Sequence, residues 1–557
     1  MVATRVLAMG GSMRSEPSRR WTWRTRWTYQ PVLAAIALCM VAGSSVVGCG
    51  GSPDEAAVAV VDTETAPGTA VTDIGDDAEP RGLLLNTPDA APGYIYFAPL
   101  LSGTTYLIET VSGAVVRTWD SELLPSAFVY LLANGHVLRG GREPDVAVFS
   151  GGGQGGRIQE FTWEGDLVWD YRLASETHLL HHDVTVLPNG NILAIAWEAK
   201  SRQETQQIGM RPEMTPEGGV WPDMILELEP RRPEGARIVW EWHAWDHMMQ
   251  NRDPALADYG DPAAHPELID INGGRPTPEA LIDDADELAR YRELGYVPDD
   301  SEHDPSADLM HMNAIEYNAA VDQIAISNHE YHEIWIIDHS TTTAEAAGHT
   351  GGRWGRGGDL LYRWGNPRAY GRGDETDQRT FGQHDVRWIP DGLPSAGNML
   401  VFSNNVPGPD GPHSEVFEIT PPTDEAGRYV LNGADPFGPT TPTWSYAASD
   451  PTSFYSPFIS GAHRLPDGHT LITSGGPGHV FELTPEGQIV WDYRSPYSGD
   501  VDPADETMRF LARQWPYAAF RATKLLPDHP ALRGRDLAPL DPQPPIVGPP
   551  SLSDAEP

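Results

Sequence analysis

"GAHRLPDGHTLITSGGPGHVFELTPEGQIVWDY", residues 461–493, is the stretch whose reading decides the fold. It runs as a short strand, a Pro-Asp-Gly turn, a second strand and a Gly-rich link. A third strand ("HVFEL"), a Pro-Glu-Gly turn and a last strand ending Trp-Asp-Tyr follow. Strand-length apolar runs punctuated by such turns describe a four-stranded meander. Its ending recurs as "VVRTWD" (115–120), "LVWDY" (167–171), "IVWEW" (238–242), "LLYRW" (360–364) and "PTWSY" (442–446). A single small sheet cannot bury both of its faces, whereas six packed radially can, leaving only short protected edges. The sequence therefore predicts an all-β chain, a six-bladed β-propeller of four-stranded blades over residues 82–530, rather than a pair of β-sandwiches.

Composition agrees. Of 557 residues, 56 are Gly and 51 Pro, while Trp and Tyr number 18 and 19, and long amphipathic helical patterns are scarce. Asp and Glu total 79 against 38 Lys and Arg, a net charge of -41. Such acidity excludes nucleic acid or anionic lipid as a partner of the general surface, since both require a basic patch.

Residues 1–48 read as a targeting segment. Arg14, Arg19, Arg20, Arg24 and Arg26 precede the apolar run "PVLAAIALCMVAGSSVVG", the layout of a secretory signal. Its end, "SVVGC", resembles a bacterial lipobox and makes Cys49 the expected lipidation site, with an uncleaved anchor helix as the alternative. "SRRWTW" is loosely similar to a twin-arginine export signal. The two cysteines are Cys39 and Cys49, so cleavage after residue 48 leaves no pair for a disulfide. Residues 49–81 are acidic and lack aromatics, the composition of a disordered tether. Residues 531–557, with "PLDPQPPIVGPP", read as a Pro-rich low-complexity tail. A monomer or homodimer held to a membrane only by an N-terminal lipid anchor is expected, exported to the periplasm or cell surface.

The inner strands carry the chemistry. "HHDVTVLPNG" (181–190) and "GQHDVRWIPDG" (382–392) each place a His-Asp pair ahead of a turn, with His182 and His384 six residues before Pro188 and Pro390. In blade 4, "HMNAIEYN" sets His311 six before Tyr317; Ser460 and Ala127 occupy this position in blades 6 and 2. Innermost strands start on one face of the disc, so these three histidines are expected to converge near the axis. The second strand of each blade returns to that face, which adds His329 ("SNHE"), Asn404 ("FSNN") and Arg142 ("RGGR") as rim candidates. Insertions at 200–222, 243–310 and 447–459 join at the same end and suggest a lid. The Gly-rich "HTGGRWGRGGDLL" (349–361) joins strands three and four of its blade and is expected on the opposite face, as a hairpin loop rather than a phosphate cradle.

The motifs "MHMNAIEYN", "GQHDV", "HHDVTVLPNGN" and "SGAHRLPDGHTLI", with the closing "FRATKL", resemble those of the bacterial arylsulfate sulfotransferases over residues 92–525. The resemblance implies a six-bladed, exported enzyme that moves a sulfuryl group from a phenolic sulfate ester to a phenol acceptor. It implies no nucleotide donor (a PAPS-independent reaction), no cofactor and a sulfohistidine intermediate. By motif His384 matches the nucleophile, His311 a second active-site histidine with Asn313 beside it, and His182, or its neighbour His181, a third. The sequence departs from the family in three respects. His329 stands where members usually carry an arginine, some members have a disulfide, and some have an N-terminal β-sandwich. Imidazole is a competent nucleophile near neutral pH, and a second histidine can carry the proton for the phenolic oxygen.

Two other readings fit the same residues. Three or four histidines around a channel could hold Mn²⁺ or Zn²⁺ for a metal-dependent lyase or hydrolase. A non-catalytic ligand-binding surface propeller is the other, and His329 in place of arginine is its best argument.

Overall fold

The tryptophan that ends each outer strand is what holds one blade to the next. In the computed structural model, Trp119, Trp169, Trp242 and Trp491 are at most 1% exposed. Their indole Nε1–H groups donate to carbonyls of the following blade: Trp119 to Thr162 (3.1 Å), Trp169 to Gly235 (2.9 Å), Trp242 to Gly358 (2.7 Å) and Trp491 to Thr110 (2.9 Å). Trp364 does the same to Pro439 at 2.8 Å. In blade 5 the guanidinium of Arg464, from blade 6, lies over the Trp444 ring instead. The other five indoles thus bury their large apolar faces while satisfying their one donor, which explains why this residue recurs at the repeat's end.

The structure describes residues 79–144, 146, 148–274, 307–500 and 506–550. The targeting segment, Cys49 and nearly all of the tether lie outside the described residues, as does part of the long insertion. Six antiparallel four-stranded sheets form the propeller, each running from an inner to an outer strand. Blade 2 comprises Pro125–Leu131, Val137–Arg142, Gly156–Phe161 and Leu167–Arg172; blade 3 comprises His178–Val186, Ile192–Glu198, Asp223–Pro230 and Ala236–His243. Blade 4 comprises Met312–Asn318, Gln323–Asn328, Glu333–Asp338 and Tyr362–Trp364; blade 5 comprises His384–Trp388, Met399–Val406, His413–Ile419 and Trp444–Tyr446. The hairpin turns rest on glycines such as Gly190 and Gly468, whose φ of 86° and 90° a side chain would oppose.

The ring closes by exchanging chain ends. Blade 1 (Tyr94–Pro99, Thr104–Glu109, Val115–Asp120) receives its inner strand, Ala519–Leu525, from the far end of the sequence, with Tyr94 opposite Leu525 and Phe97 opposite Ala522. Blade 6 (Gly461–Arg464, Thr470–Ser474, His479–Leu483, Ile489–Arg494) gains a fifth, outer strand, Gly82–Asn86, paired from Gly82 opposite Arg494. The chain therefore enters the propeller along the outside of blade 6, not directly into blade 1.

The structure also places two segments outside the blades. The Pro-rich segment after residue 531 packs on the body. Ala531 and Leu532 are buried among blade 1 and 2 side chains, the Leu540 amide donates to Val115 O at 2.9 Å, and Val547 O accepts from the Ser498 amide at 2.9 Å. Prolines that cannot continue a strand still follow an edge in extended form while neighbouring leucines bury. Second, the Gly-rich loop keeps to the opposite face, where Arg353 Nη1 donates to Ala320 O in the turn that ends blade 4's inner strand, at 3.4 Å, and the insertion after blade 3 reaches it, Leu360 N donating to Glu267 O at 3.0 Å. That insertion packs in turn against residues 200–222, with the Arg211 amide on Asn272 Oδ1 at 2.9 Å. Among the described residues no helix is long and apolar enough to cross a membrane.

Candidate active site

The inner strands do not run as regular ladders where the histidines sit. In blade 3 Leu180 pairs with Ala196 and Val184 with Ala194, so three residues face one, and His182 takes φ 50°. In blade 5 the register slips between His384 and Arg387, with Asp385 at φ 57°. In blade 4 it slips between Met312 and Ala314, and His311, one residue before the strand, has φ 54°. Bulges re-aim side chains. Here the bulges of blades 3 and 5 turn the imidazole to the cavity and the following aspartate to Arg521, whereas in blade 4 the residue after His311, Met312, packs in the core.

The rings form a continuous file. His182 and His311 centroids are 4.4 Å apart, His311 and His329 5.3 Å, and His329 and His384 5.7 Å. His182, His311 and His384 floor a cavity that opens to solvent, with Arg142 at its wall. Leu100, Phe458, Ile459, Met508, Leu511 and Phe520 give the walls apolar surface, with Ser126 and Gln154 among them. A basin with this lining suits an aryl ring with one polar group directed at the floor. The lid reading holds for the 447–459 loop, which leads into Phe458 and Ile459. The helix Glu506–Gln514 and the glycines at 151–153 also wall the cavity, and sequence reasoning had not assigned either to the site.

Hydrogen bonds fix the state of His384. Asn404 donates its Nδ2–H to Ser456 O and Ile459 O, both at 2.8 Å, so its Oδ1 must accept. It accepts from His384 Nδ1 at 2.8 Å. The proton is therefore on Nδ1, and Nε2 keeps a lone pair that accepts the Ile459 N–H at 3.2 Å. Burial, and then the neighbouring His329, hold the His384 pKa well below 6.5, so the ring is neutral at pH 7. His182 is likewise held far down by burial and the adjoining imidazoles.

Carboxylates stand behind the other two. Asp308 accepts the His311 amide at 3.0 Å and meets its Nδ1 at 2.5 Å. His181 does not reach the cavity. It stacks on Trp197 at 4.2 Å, with Nε2 on Asp223 at 2.6 Å and Nδ1 on the His182 Nδ1 at 2.8 Å, forming an Asp223–His181–His182 relay. Burial, with Asp308 nearby, raises the Asp223 pKa well above the carboxylate range. His329 Nδ1 meets Glu330 at 3.0 Å. Asn313 faces sideways, donating to Gln383 O at 2.8 Å, and so helps hold the floor rather than line it.

The aspartates of the two His-Asp pairs have a separate task. Asp183 Oδ2 accepts the Ile315 amide of blade 4 at 3.3 Å, and Asp385 Oδ2 accepts the Ala462 amide of blade 6 at 3.0 Å. Between them lies Arg521 of the closing strand, 2.8 Å from Asp183 and 2.7 Å from Asp385. Burial alone would depress this guanidinium, but the two carboxylates outweigh it and raise the pKa. The repeated pair thus pairs a pocket histidine with an axial aspartate that links blades. Arg521 was visible in "FRATKL" as sequence, but its role depends on which blade that strand closes.

Among the described residues, two groups have three ligand atoms all within 4.8 Å of one another: His247, His349 and Asp359, and Asp467, His469 and Glu482. Neither includes the histidines of the cavity floor.

Residues 132–503 match the family profile of Arylsulfotransferase (ASST). No curated protein matches the chain. Similar solved structures include a protein of unknown function from Bacteroides caccae, 10% identical, covering 78% of this chain and 99% of that one with a TM-score of 0.39. A protein from Lactobacillus plantarum shares 10% identity over 78% and 99% of the two chains, with a TM-score of 0.36. A catalytically inactive virginiamycin B lyase from Staphylococcus aureus shares 10% over 74% and 87%, with a TM-score of 0.30. Likeness at this level carries no argument about the site. The family profile spans more than half of the sequence, and the chain belongs to the arylsulfotransferase (ASST) family.

Proposed function

We propose that the chain transfers a sulfuryl group from a phenolic sulfate ester to a phenol in two displacements through His384. The observation that carries this is the lone pair kept on His384 Nε2, at the floor of a largely apolar cavity, by the Asn404 bond to Nδ1. In the first step Nε2 attacks sulfur, an S–N bond forms, the S–O bond to the phenol breaks and phenolate leaves. His311, backed by Asp308, gives that oxygen its proton and later takes one from the acceptor, whose oxygen attacks sulfur and releases His384. His182 holds the second wall of the sulfuryl group. As Nε2 becomes bonded to sulfur, the Ile459 N–H that had faced it is released to a sulfuryl oxygen. Arg142 and His329 supply positive charge in place of the arginine that family members carry beside His311; His329 keeps a proton on Nδ1 for Glu330. The reaction uses no nucleotide donor. The protein works as an exported monomer on a Cys49 lipid anchor.

The test is release of p-nitrophenol from p-nitrophenyl sulfate, with and without phenol, by the wild type and His384→Ala. Phenol-dependent release lost in the variant supports transfer, together with an SO₃ adduct on His384 when phenol is withheld. Release that ignores phenol but needs His384 makes the enzyme a hydrolase. Release unchanged in His384→Ala refutes the assignment. Labelled palmitate retained by Cys49→Ser would refute the anchor.

A further inference from the structure

We propose that His247, His349 and Asp359 form a site for a divalent cation of the zinc class, clamping the insertion after blade 3 to the Gly-rich loop of blade 4. The site lies apart from the cavity and does not depend on the sulfuryl-transfer reading.

The argument starts from His247. It is fully buried in the short helix Ala244–His247 and stacks on Trp242, with ring centroids 5.6 Å apart and planes 6° from parallel. Its Nε2 lies 2.8 Å from Ala346 O. A carbonyl can only accept, so Nε2 carries the proton, and in a neutral ring the Nδ1 lone pair points outward. What it meets, at 2.8 Å, is Asp359 Oδ1, itself an acceptor. The same oxygen is met by His349 Nδ1 at 2.7 Å. Two imidazole nitrogens and one carboxylate oxygen thus converge on a point where, with His247 neutral, at least one pair of lone pairs opposes.

A cation resolves that opposition. Imidazole and carboxylate donors together suit zinc, cobalt or nickel ions, and donors about 2.0–2.2 Å from zinc stand roughly 3.4 Å from one another in a tetrahedron. The three donor atoms here already lie within 4.8 Å of each other. A ligating histidine characteristically donates its second N–H to a carbonyl, which fixes the ring and its tautomer, and the His247 bond to Ala346 has that form. The surroundings are built to the ring. A Cβ on Gly358 would stand 2.6 Å from His247 Nε2, so glycine is what lets the loop approach. Trp242 Nε1 donates to Gly358 O at 2.7 Å and holds the loop there. The His349 side chain is 61% exposed and gives the ion a route in, while water completes its coordination. The ligands come from two segments about 100 residues apart (247 to 349), so the ion would serve as a structural clasp.

Co²⁺ titrated into the full-length chain, followed by visible absorption, and Zn²⁺ equilibrium dialysis test this directly. The expected result is one equivalent of either ion, bound at least about tenfold more weakly by His349→Ala and by Asp359→Asn, and unchanged in His384→Ala. His349 is exposed, so its variant keeps the fold, which an unchanged metal-free melting midpoint verifies. No saturable binding would overturn the proposal and leave a buried imidazolium–carboxylate pair. Binding that survives both substitutions, or that disappears in His384→Ala, would overturn it as well.

Discussion

Replacing Gly153 by alanine should disable the enzyme without unfolding it. Gly153 has φ 73°, and its carbonyl accepts the His182 amide at 3.0 Å. A Cβ there would stand 2.1 Å from His182 Cε1 and 2.2 Å from Nε2. Reaching ordinary contact at 3.4 Å requires Nε2 to retreat by about 1.2 Å. The ring cannot do so and keep both its 2.8 Å bond to His181 and its place against His311. An alanine in the left-handed region costs about 1–2 kcal/mol, and loss of the His181 bond adds about 1 kcal/mol. Stability should therefore fall by roughly 2–3 kcal/mol, which a propeller of this size tolerates. Displacing a reacting group by about 1 Å costs on the order of a hundredfold in rate. Turnover of p-nitrophenyl sulfate with phenol should drop accordingly, with the melting transition still cooperative. Gly151→Ala is the control: its Cβ meets only Trp197 Cη2, at 3.7 Å, and kcat should stay within about twofold. Wild-type kcat in Gly153→Ala would show that His182 takes no part in the chemistry. An equal loss in both variants would trace the effect to the loop rather than to the ring.

Because burial holds His384 and His182 well below 6.5, kcat/KM should stay level as pH falls through 6.5 and decline only below it; a midpoint at or above 6.5 would contradict a buried neutral nucleophile. The same shifts set the sign for stability. These rings take up protons on unfolding below 6.5, so the urea midpoint should fall as pH drops from there. Asn404→Leu removes the nearer acceptor at His384 Nδ1, leaving Gly382 O at 3.2 Å, and should lower kcat by about tenfold with KM little changed; a pure KM effect would refute the tautomer argument. Arg521→Met leaves Asp183 and Asp385 without their shared cation and should cost about 3–5 kcal/mol in urea unfolding, largely restored by adding Asp183→Asn and Asp385→Asn; no restoration would refute the pairing.

The blade count was readable because each outer strand must end on a large residue with a single donor, and tryptophan at a fixed offset from a turn leaves a visible period. The convergence of His182, His311 and His384 was readable for the same reason, since turn-aligned positions share a place in the disc. What alternation cannot reveal is a bulge. A period of two assigns His181 and His182 to opposite faces but does not say which faces the cavity, and the extra residue opposite Ala194–Ala196 decides it. Nor does local pattern show which strands are neighbours across hundreds of residues. Arg521 meets Asp183 only because Ala519–Leu525 joins blade 1, and Ile459 meets His384 only because a loop between two blades folds inward. Composition marked the segment after 531 as Pro-rich and low in complexity, which says nothing of the edge it lies along.

Blade 1 takes its inner strand from the far end of the sequence, and this has a bearing on when activity can exist at all. Phe520 in the cavity wall and Arg521 at the axis are among the last parts of the ring to be synthesised. Until they dock, Asp183 lacks the Arg521 guanidinium, Asp385 has only Arg387, and the cavity lacks a side. A growing or truncated polypeptide therefore has no partial activity: the catalyst comes into being in one step, at completion. Completion of the fold and completion of the cavity are thus the same event.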